Sequence, residues 1–418
     1  MGTLTAPASE GAVNLEERPR PVRVLVVDDS LFMRKLISGL LEEDAGITVA
    51  GQARDGLEAL QRIAELDPDV VTLDVEMPRL DGLGVLERLM QVDPRPVVMV
   101  SGLTRENAEA TVASLRLGAV DFLTKPSGSV SPDLPRLKKE LQAKVKAAAH
   151  LGKGGVRRVM GYSPPPHPRE APPAPFSCPG RSVPPSRPET AASGPPAHEP
   201  TAAGSVAGGS TFTREGASRD VGPARRLVVV GASTGGPAAL HFLVRRLAGL
   251  VRRLAPVAML IVQHIPVGFS PAMARSLSEA ARGAFTVEEA SPRSLGAGDV
   301  LLAPGGYHLR VVEGPAVELS LDPPVAGVRP AVDVTLMSAA RLFPRRLLAL
   351  ILTGMGSDGL RGAMAVRRAG GRVIAQDRET SVVYGMPRAV AEAGLADQVL
   401  PLESIPEAVA AWVGGALL

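Results

Sequence analysis

Asp28-Asp29, Asp74, Ser101 and Lys125-Pro126 each stand directly after a short aliphatic or β-branched run in the first third of this 418-residue chain. Transfer of a phosphoryl group to a carboxylate crowds negative charges together. It needs a hard cation on oxygen ligands, with a lysine and a hydroxyl for the phosphoryl oxygens. The residues supply each part: Asp74 as acceptor, Asp29 and Asp74 as direct Mg²⁺ ligands, Asp28 acting through water, and Ser101 and Lys125 at the phosphoryl group. The backbone carbonyl of Glu76 is a further candidate ligand. An Asp-Asp pair at a strand end is by itself more often a helix cap or a solvated loop. It is the agreement of several strand ends that carries the reading.

A second set lies far along the chain. Gly231-Ala232-Ser233-Thr234-Gly235-Gly236 follows Leu227-Val228-Val229-Val230 and precedes a helical pattern, so Ser233 sits on a strand-to-helix turn with backbone N–H groups near it. Such a turn also cradles phosphates in dinucleotide-binding folds. That alternative calls for an acidic residue at the end of the next strand, Met259 to Val262, where Gln263-His264 stand instead. An imidazole there could take the proton of a neighbouring strand-end serine. A third strand, Leu347 to Leu352, runs into Thr353-Gly354-Met355-Gly356-Ser357-Asp358-Gly359, which adds a carboxylate in a tight turn. The roles expected are Ser233 as nucleophile, His264 as general base and acid, and Asp358 to fix the imidazole tautomer. His308, after Pro304-Gly305-Gly306-Tyr307 near a hairpin, is the rival base. The turn matches G-x-S-x-G, but the chain order Ser, His, Asp differs from the Ser, Asp, His order of α/β-hydrolases.

Two strand–helix alternations must position these groups. In the first, Val22 to Val27 reads as a buried parallel strand, and a helix follows with Ser30 as N-cap and two i, i+4 rows, Phe32, Leu36, Leu40 and Met33, Ile37, Leu41. Val70 to Leu73, Leu83 to Met90, Val97 to Val100, Ala108 to Leu117 and Val120 to Leu123 continue the alternation. Both blocks therefore predict doubly wound parallel-sheet α/β domains with sites at the strand ends. The boundaries expected are 22–146 and 225–415. Between them, 147–224 is rich in Pro, Ala, Ser and Gly and is read as a disordered, partly extended linker, in which Cys178 and His167 have no expected role.

The composition removes other classes. One cysteine excludes an intramolecular disulfide and any CxxC metal knuckle. No signal-peptide h-region or membrane-length apolar run is present, so a soluble chain without membrane insertion is expected. A net charge of +3 and 3% aromatic residues give no clustered basic stripe and no stacking platform for nucleic acid.

Val27-Asp28-Asp29-Ser30, Asp74-Val75-Glu76-Met77-Pro78, Asp81-Gly82 and Thr124-Lys125-Pro126 resemble, in order and spacing, the receiver domain of two-component response regulators. The resemblance implies a flavodoxin-like fold, phosphorylation of Asp74 by a histidine kinase, and switch roles for Ser101 and Phe122, although Phe122 could equally be ordinary core. The second block, with Gln263-His264-Ile265-Pro266, Leu352 to Gly359 and Val383-Tyr384-Gly385-Met386-Pro387, resembles the chemotaxis protein-glutamate methylesterases, the CheB-type response regulators. That implies a Rossmann-like hydrolase domain, demethylation of glutamate γ-methyl esters on chemoreceptor cytoplasmic domains, deamidation of receptor glutamines, and a cytoplasmic location. The hydrolysis would need no cofactor, and the Met355 backbone is a candidate oxyanion donor.

The chain departs from the family pattern at Ile265, where Met is common, at Ala331 in Arg329-Pro330-Ala331-Val332-Asp333, where Ser is usual, and in its long linker. The altered segment either supports the site or only starts a helix with Asp333 as cap, and the cap is the favoured reading. The linker leaves open whether the receiver docks on the active site. Two other functions stay in view, a DNA-binding regulator controlled by the receiver and an adaptor whose triad is vestigial.

Overall fold

The structure is a computed structural model that describes residues 20–102, 104–126, 134–159, 222–250 and 256–415. Cys178, His167 and most of the expected linker lie outside these residues.

The first domain alternates strand and helix: β1 (Val22–Val27), α1 (Leu31–Glu42), β2 (Ile47–Ala53), α2 (Gly56–Leu66), β3 (Val70–Asp74), α3 (Gly82–Val92), β4 (Val97–Ser101), α4 (Arg105–Leu117), β5 (Asp121–Thr124) and α5 (Leu134–Val159). Its sheet is parallel with order β2-β1-β3-β4-β5. The strand order reverses between β1 and β3, which opens a crevice at their C-terminal ends. Ser30 is the N-cap of α1, its hydroxyl accepting the Met33 N–H. Of the two rows read on that helix, Met33, Ile37 and Leu41 are buried; in the other row Leu40 is buried and Leu36 packs against the core, and only Phe32, in the first turn, is exposed. Helix α5, broken at Gly152, runs past residue 146 into the segment expected to be linker. Ala148 and Val156 are buried there, so apolar contact carries the helix on.

The second domain contains β6 (Arg226–Ala232), α6 (Gly236–Leu250), β7 (Val257–Gln263), α7 (Ser270–Ala280), β8 (Val287–Glu289), β9 (Arg293–Ser294), β10 (Val300–Leu302), β11 (His308–Val312), β12 (Ala316–Ser320), α8 (Val332–Leu342), β13 (Leu347–Ile351), α9 (Leu360–Arg368), β14 (Arg372–Gln376), α10 (Met386–Glu392), β15 (Gln398–Leu400) and α11 (Ile405–Val413). A parallel sheet has order β15-β14-β13-β6-β7-β10-β8, and β11, β12 and β9 form a small antiparallel sheet, in which β11 and β12 are the hairpin expected near His308 and β9 is an unanticipated third strand. Alternation along the strands separates two apolar layers. Val228 and Val230 of β6 join Met259 and Ile261 of β7 on one face, and Leu227 and Val229 join Ala258 and Leu260 on the other. The reversal of strand order falls between β6 and β13, with β7 beside β6, and the three expected catalytic residues follow these three strands. Among the described residues, no helix is long and apolar enough to cross a membrane.

Candidate active site

Ser233, His264 and Asp358 meet across the ends of β6, β7 and β13. His264 Nδ1 lies 3.0 Å from Ser233 Oγ, and His264 Nε2 lies 2.8 Å from Asp358 Oδ2. A carboxylate can only accept, so the imidazole proton sits on Nε2 and the Nδ1 lone pair faces the serine hydroxyl. Ser233 is half-buried, whereas Asp358 is only 4% exposed. Burial pushes the Asp358 pKa up, but the hydrogen bond and charge of His264, with the N–H groups of Asp333 and Val332, outweigh it and leave the pKa lowered.

The backbone holds the nucleophile turn against the β13 turn. Ser233 N–H donates to the Thr353 carbonyl at 3.0 Å, and the Thr353 hydroxyl donates to the Thr234 carbonyl at 2.9 Å. A Cβ on Gly354 would lie 2.7 Å from Ser233 Cβ and 2.4 Å from Met386 Sδ, so only glycine permits this approach. Buried Gln376 accepts the Thr353 N–H, and buried Gln263 donates to the carbonyls of Ser233 and His264. The sequence marks Gln263 only as the polar strand end before His264 and Thr353 only within its motif, and for Gln376 the one signal is a polar residue ending an apolar strand. Met355 belongs to the same turn and is 42% exposed.

Two sequence expectations change. His308, the rival base, is fully buried; its Nδ1 accepts the Ala331 N–H and its Nε2 donates to the Pro323 carbonyl, which ties both ring nitrogens to backbone. Asp333 does not cap its own helix. Ala331 occupies the N-cap of α8 without a side-chain bond, and Asp358 accepts the Val332 and Asp333 N–H groups at 2.7 and 2.9 Å. Asp333 instead accepts from Gly359 and Gly362, at the start of α9. Spacing along one helix carries no information about a neighbouring helix start, so the sequence alone points Asp333 to its own helix.

In the first domain Asp28, Asp29 and Asp74 each offer an oxygen within 4.8 Å of the others. Lys125 Nζ stands 2.9 Å from Asp28 and 2.7 Å from Asp74. Burial, with the charge of Asp28 adding to it, raises the Asp74 pKa to about 6 against the pull of Lys125. An all-oxygen, partly desolvated set with this much negative charge fits a hard divalent cation. Ser101 Oγ, fully buried, donates within the β4–α4 connection to the carbonyl of Gly102 or Asn107.

The two domains pack into one compact unit. The Phe122 ring stacks on Phe269 with centroids 4.9 Å apart, Arg275 donates to Glu109 at 2.7 Å, and Arg116 pairs with Glu279. Gly235 N–H, in the nucleophile turn, donates to Asp121 Oδ2 at 3.3 Å. The long linker thus does not keep the first domain away from the site, and Phe122 lies at the contact rather than in an isolated core.

Fold and clusters together define the class, a receiver joined to an α/β domain of hydrolase type. The receiver-domain model of response regulators matches residues 24–131, and the CheB methylesterase model matches residues 228–409. The protein-glutamate methylesterase/protein-glutamine glutaminase of Symbiobacterium thermophilum is 47% identical to this chain, covering 94% of it and 98% of the relative. That of Moorella thermoacetica is 43% identical over 95% and 99%. The crystal structure of the Thermotoga maritima CheB methylesterase catalytic domain is 40% identical, covering 45% of this chain and 98% of that one, with a TM-score of 0.42. The chain belongs to the protein-glutamate methylesterase/protein-glutamine glutaminase family.

Proposed function

We propose that this chain is a phosphorylation-activated hydrolase that removes methyl esters from chemoreceptor glutamates and deamidates receptor glutamines in the cytoplasm. The observation that carries the reading is the continuous relay Ser233 Oγ, His264, Asp358, with contacts of 3.0 and 2.8 Å. As His264 Nδ1 takes its proton, Ser233 Oγ attacks the ester carbonyl, and the same imidazole returns the proton to the departing methanol. Water then attacks the acyl-serine with His264 again as base, and glutamate is released. An amide substrate follows the same course with ammonia leaving. Asp358 holds the reactive tautomer and stabilises the imidazolium, and the Met355 N–H is the candidate donor to the oxyanion. An intact relay argues against an adaptor with a vestigial triad.

In the receiver, Asp74 accepts the phosphoryl group from a histidine kinase, and Lys125 and Ser101 bind its oxygens. Asp28, Asp29 and Asp74 would hold Mg²⁺, whose charge offsets that of the incoming group. Regulation is supported by the Asp121 contact with the nucleophile turn.

Methanol release from methylated receptor fragments tests both parts. Ser233→Ala should lower turnover by about a million-fold, as loss of the nucleophile does in subtilisin. Near-normal release by that variant would sink the mechanism. A small phosphoryl donor with Mg²⁺ should raise wild-type activity and leave Asp74→Asn unchanged; a wild type indifferent to the donor would remove the gating role.

A further inference from the structure

Helices α8 and α9 begin side by side, and neither has a side-chain cap of its own: the N-cap residues are Ala331 and Gly359. Each takes an acceptor from the start of the other, while the Gly359 N–H is shared between Asp333 and Asp358 Oδ1, at 2.9 Å from each. Asp358, directly before α9, accepts the Val332 and Asp333 N–H groups of α8. Asp333, in the first turn of α8, accepts the Gly359 N–H at 2.9 Å and the Gly362 N–H at 2.7 Å through Oδ1. Both carboxylates are at least 95% buried.

A serine or asparagine at each N-cap would satisfy these amides without bringing two acidic groups together. The crossed arrangement does something more, because Asp358 lies between Gly356 and Gly359, both at positive φ, on a turn that glycine leaves free to rotate. Pinning Gly359 and Gly362 to Asp333 fixes the C-terminal side of that turn, and the α8 amides fix the carboxylate itself.

We propose that Asp333 is a positioning residue for the hydrolytic relay: by bonding the amides of Gly359 and Gly362 it holds the turn that aims Asp358 at His264 Nε2. The proposal rests on the reading of Ser233, His264 and Asp358 as the relay. It extends that machinery to a residue that does not contact His264 and acts only through Asp358.

The test is steady-state methanol release by the full-length chain. Misplacement of a catalytic group by about 1 Å costs on the order of a hundred-fold in rate, so Asp333→Ala should lower kcat by about 10- to 100-fold with KM little changed. Asp333→Asn, which keeps an acceptor oxygen at the same reach, should restore most of the rate. In an Asp358→Asn background, Asp333→Ala should add no further loss in kcat. If Asp333→Ala does not fold, Asp333→Ser serves instead, because its hydroxyl is too short to reach both amides. A wild-type kcat in folded Asp333→Ala or Asp333→Ser, failure of Asp333→Asn to restore the rate, or a full multiplicative loss in the Asp358→Asn background overturns the proposal. A wild-type kcat in Asp358→Asn alone would instead sink the relay reading on which it depends.

Discussion

Asp358 binds four partners with two oxygens: His264 Nε2 and the amides of Val332, Asp333 and Gly359. Its lowered pKa ties it to stability as well as to chemistry. A carboxylate whose folded pKa lies below its unfolded value contributes stability fully present above the unfolded value, about 4, and lost as pH falls through the folded value. Asp358→Asn should therefore lower Tm most at neutral pH, and the gap from wild type should narrow below about pH 4. A gap that is flat or widens on acidification would contradict this charge-state argument. At neutral pH the same variant should lose about 10⁴ in kcat, the effect of the corresponding change in a serine protease.

At the scale of elements, β6, α8 and the β13 turn are coupled by close approach. A Cβ on Gly231 would meet Val332 Cγ1 at 2.5 Å and Cγ2 at 2.8 Å, so Gly231→Ala in β6 must push the start of α8 outward. Overpacking of this kind costs about 1–3 kcal/mol. Because the Val332 N–H is a donor to Asp358, kcat should fall together with the urea midpoint. A variant with lowered stability and wild-type kcat would mean that α8 moves without carrying Asp358. The elements themselves were largely legible, since β-branched runs alternate with helical periodicity in both blocks. Of the β11, β12, β9 sheet only the hairpin near His308 was legible; β9, Arg293–Ser294, has two residues and no apolar alternation to read.

For the whole molecule, the receiver bears on the catalytic domain through a buried charge cluster. Burial raises the Asp121 pKa against the charge of Lys144, and Lys144, although burial works against its charge, is raised by Asp121 and Glu140. The outward oxygen of Asp121 accepts the Gly235 N–H. A hydrogen bond to a charged acceptor contributes about 1.5–3 kcal/mol, roughly twice a neutral one. Asp121→Asn should therefore weaken docking and raise the activity of the unphosphorylated chain several-fold, with little change in the phosphorylated form. Methanol release with and without phosphoryl donor measures this, and an unchanged basal rate would show that this contact does not restrain the site.

The sequence by itself determined the parts that chemistry places at strand ends: the acidic pocket around Asp74, the Ser233 turn, and Asp358 in its glycine turn. Each of these signals is local, because a strand, a turn and a helix start occupy consecutive residues. Tertiary structure alone decided between His264 and His308 as partner of Ser233, assigned Asp333 to α9 rather than to its own helix, and brought Asp121 to Gly235 from 114 positions away. Each of these depends on which chain segments the sheets bring together, and neither side-chain periodicity nor motif spacing encodes contact between segments so far apart.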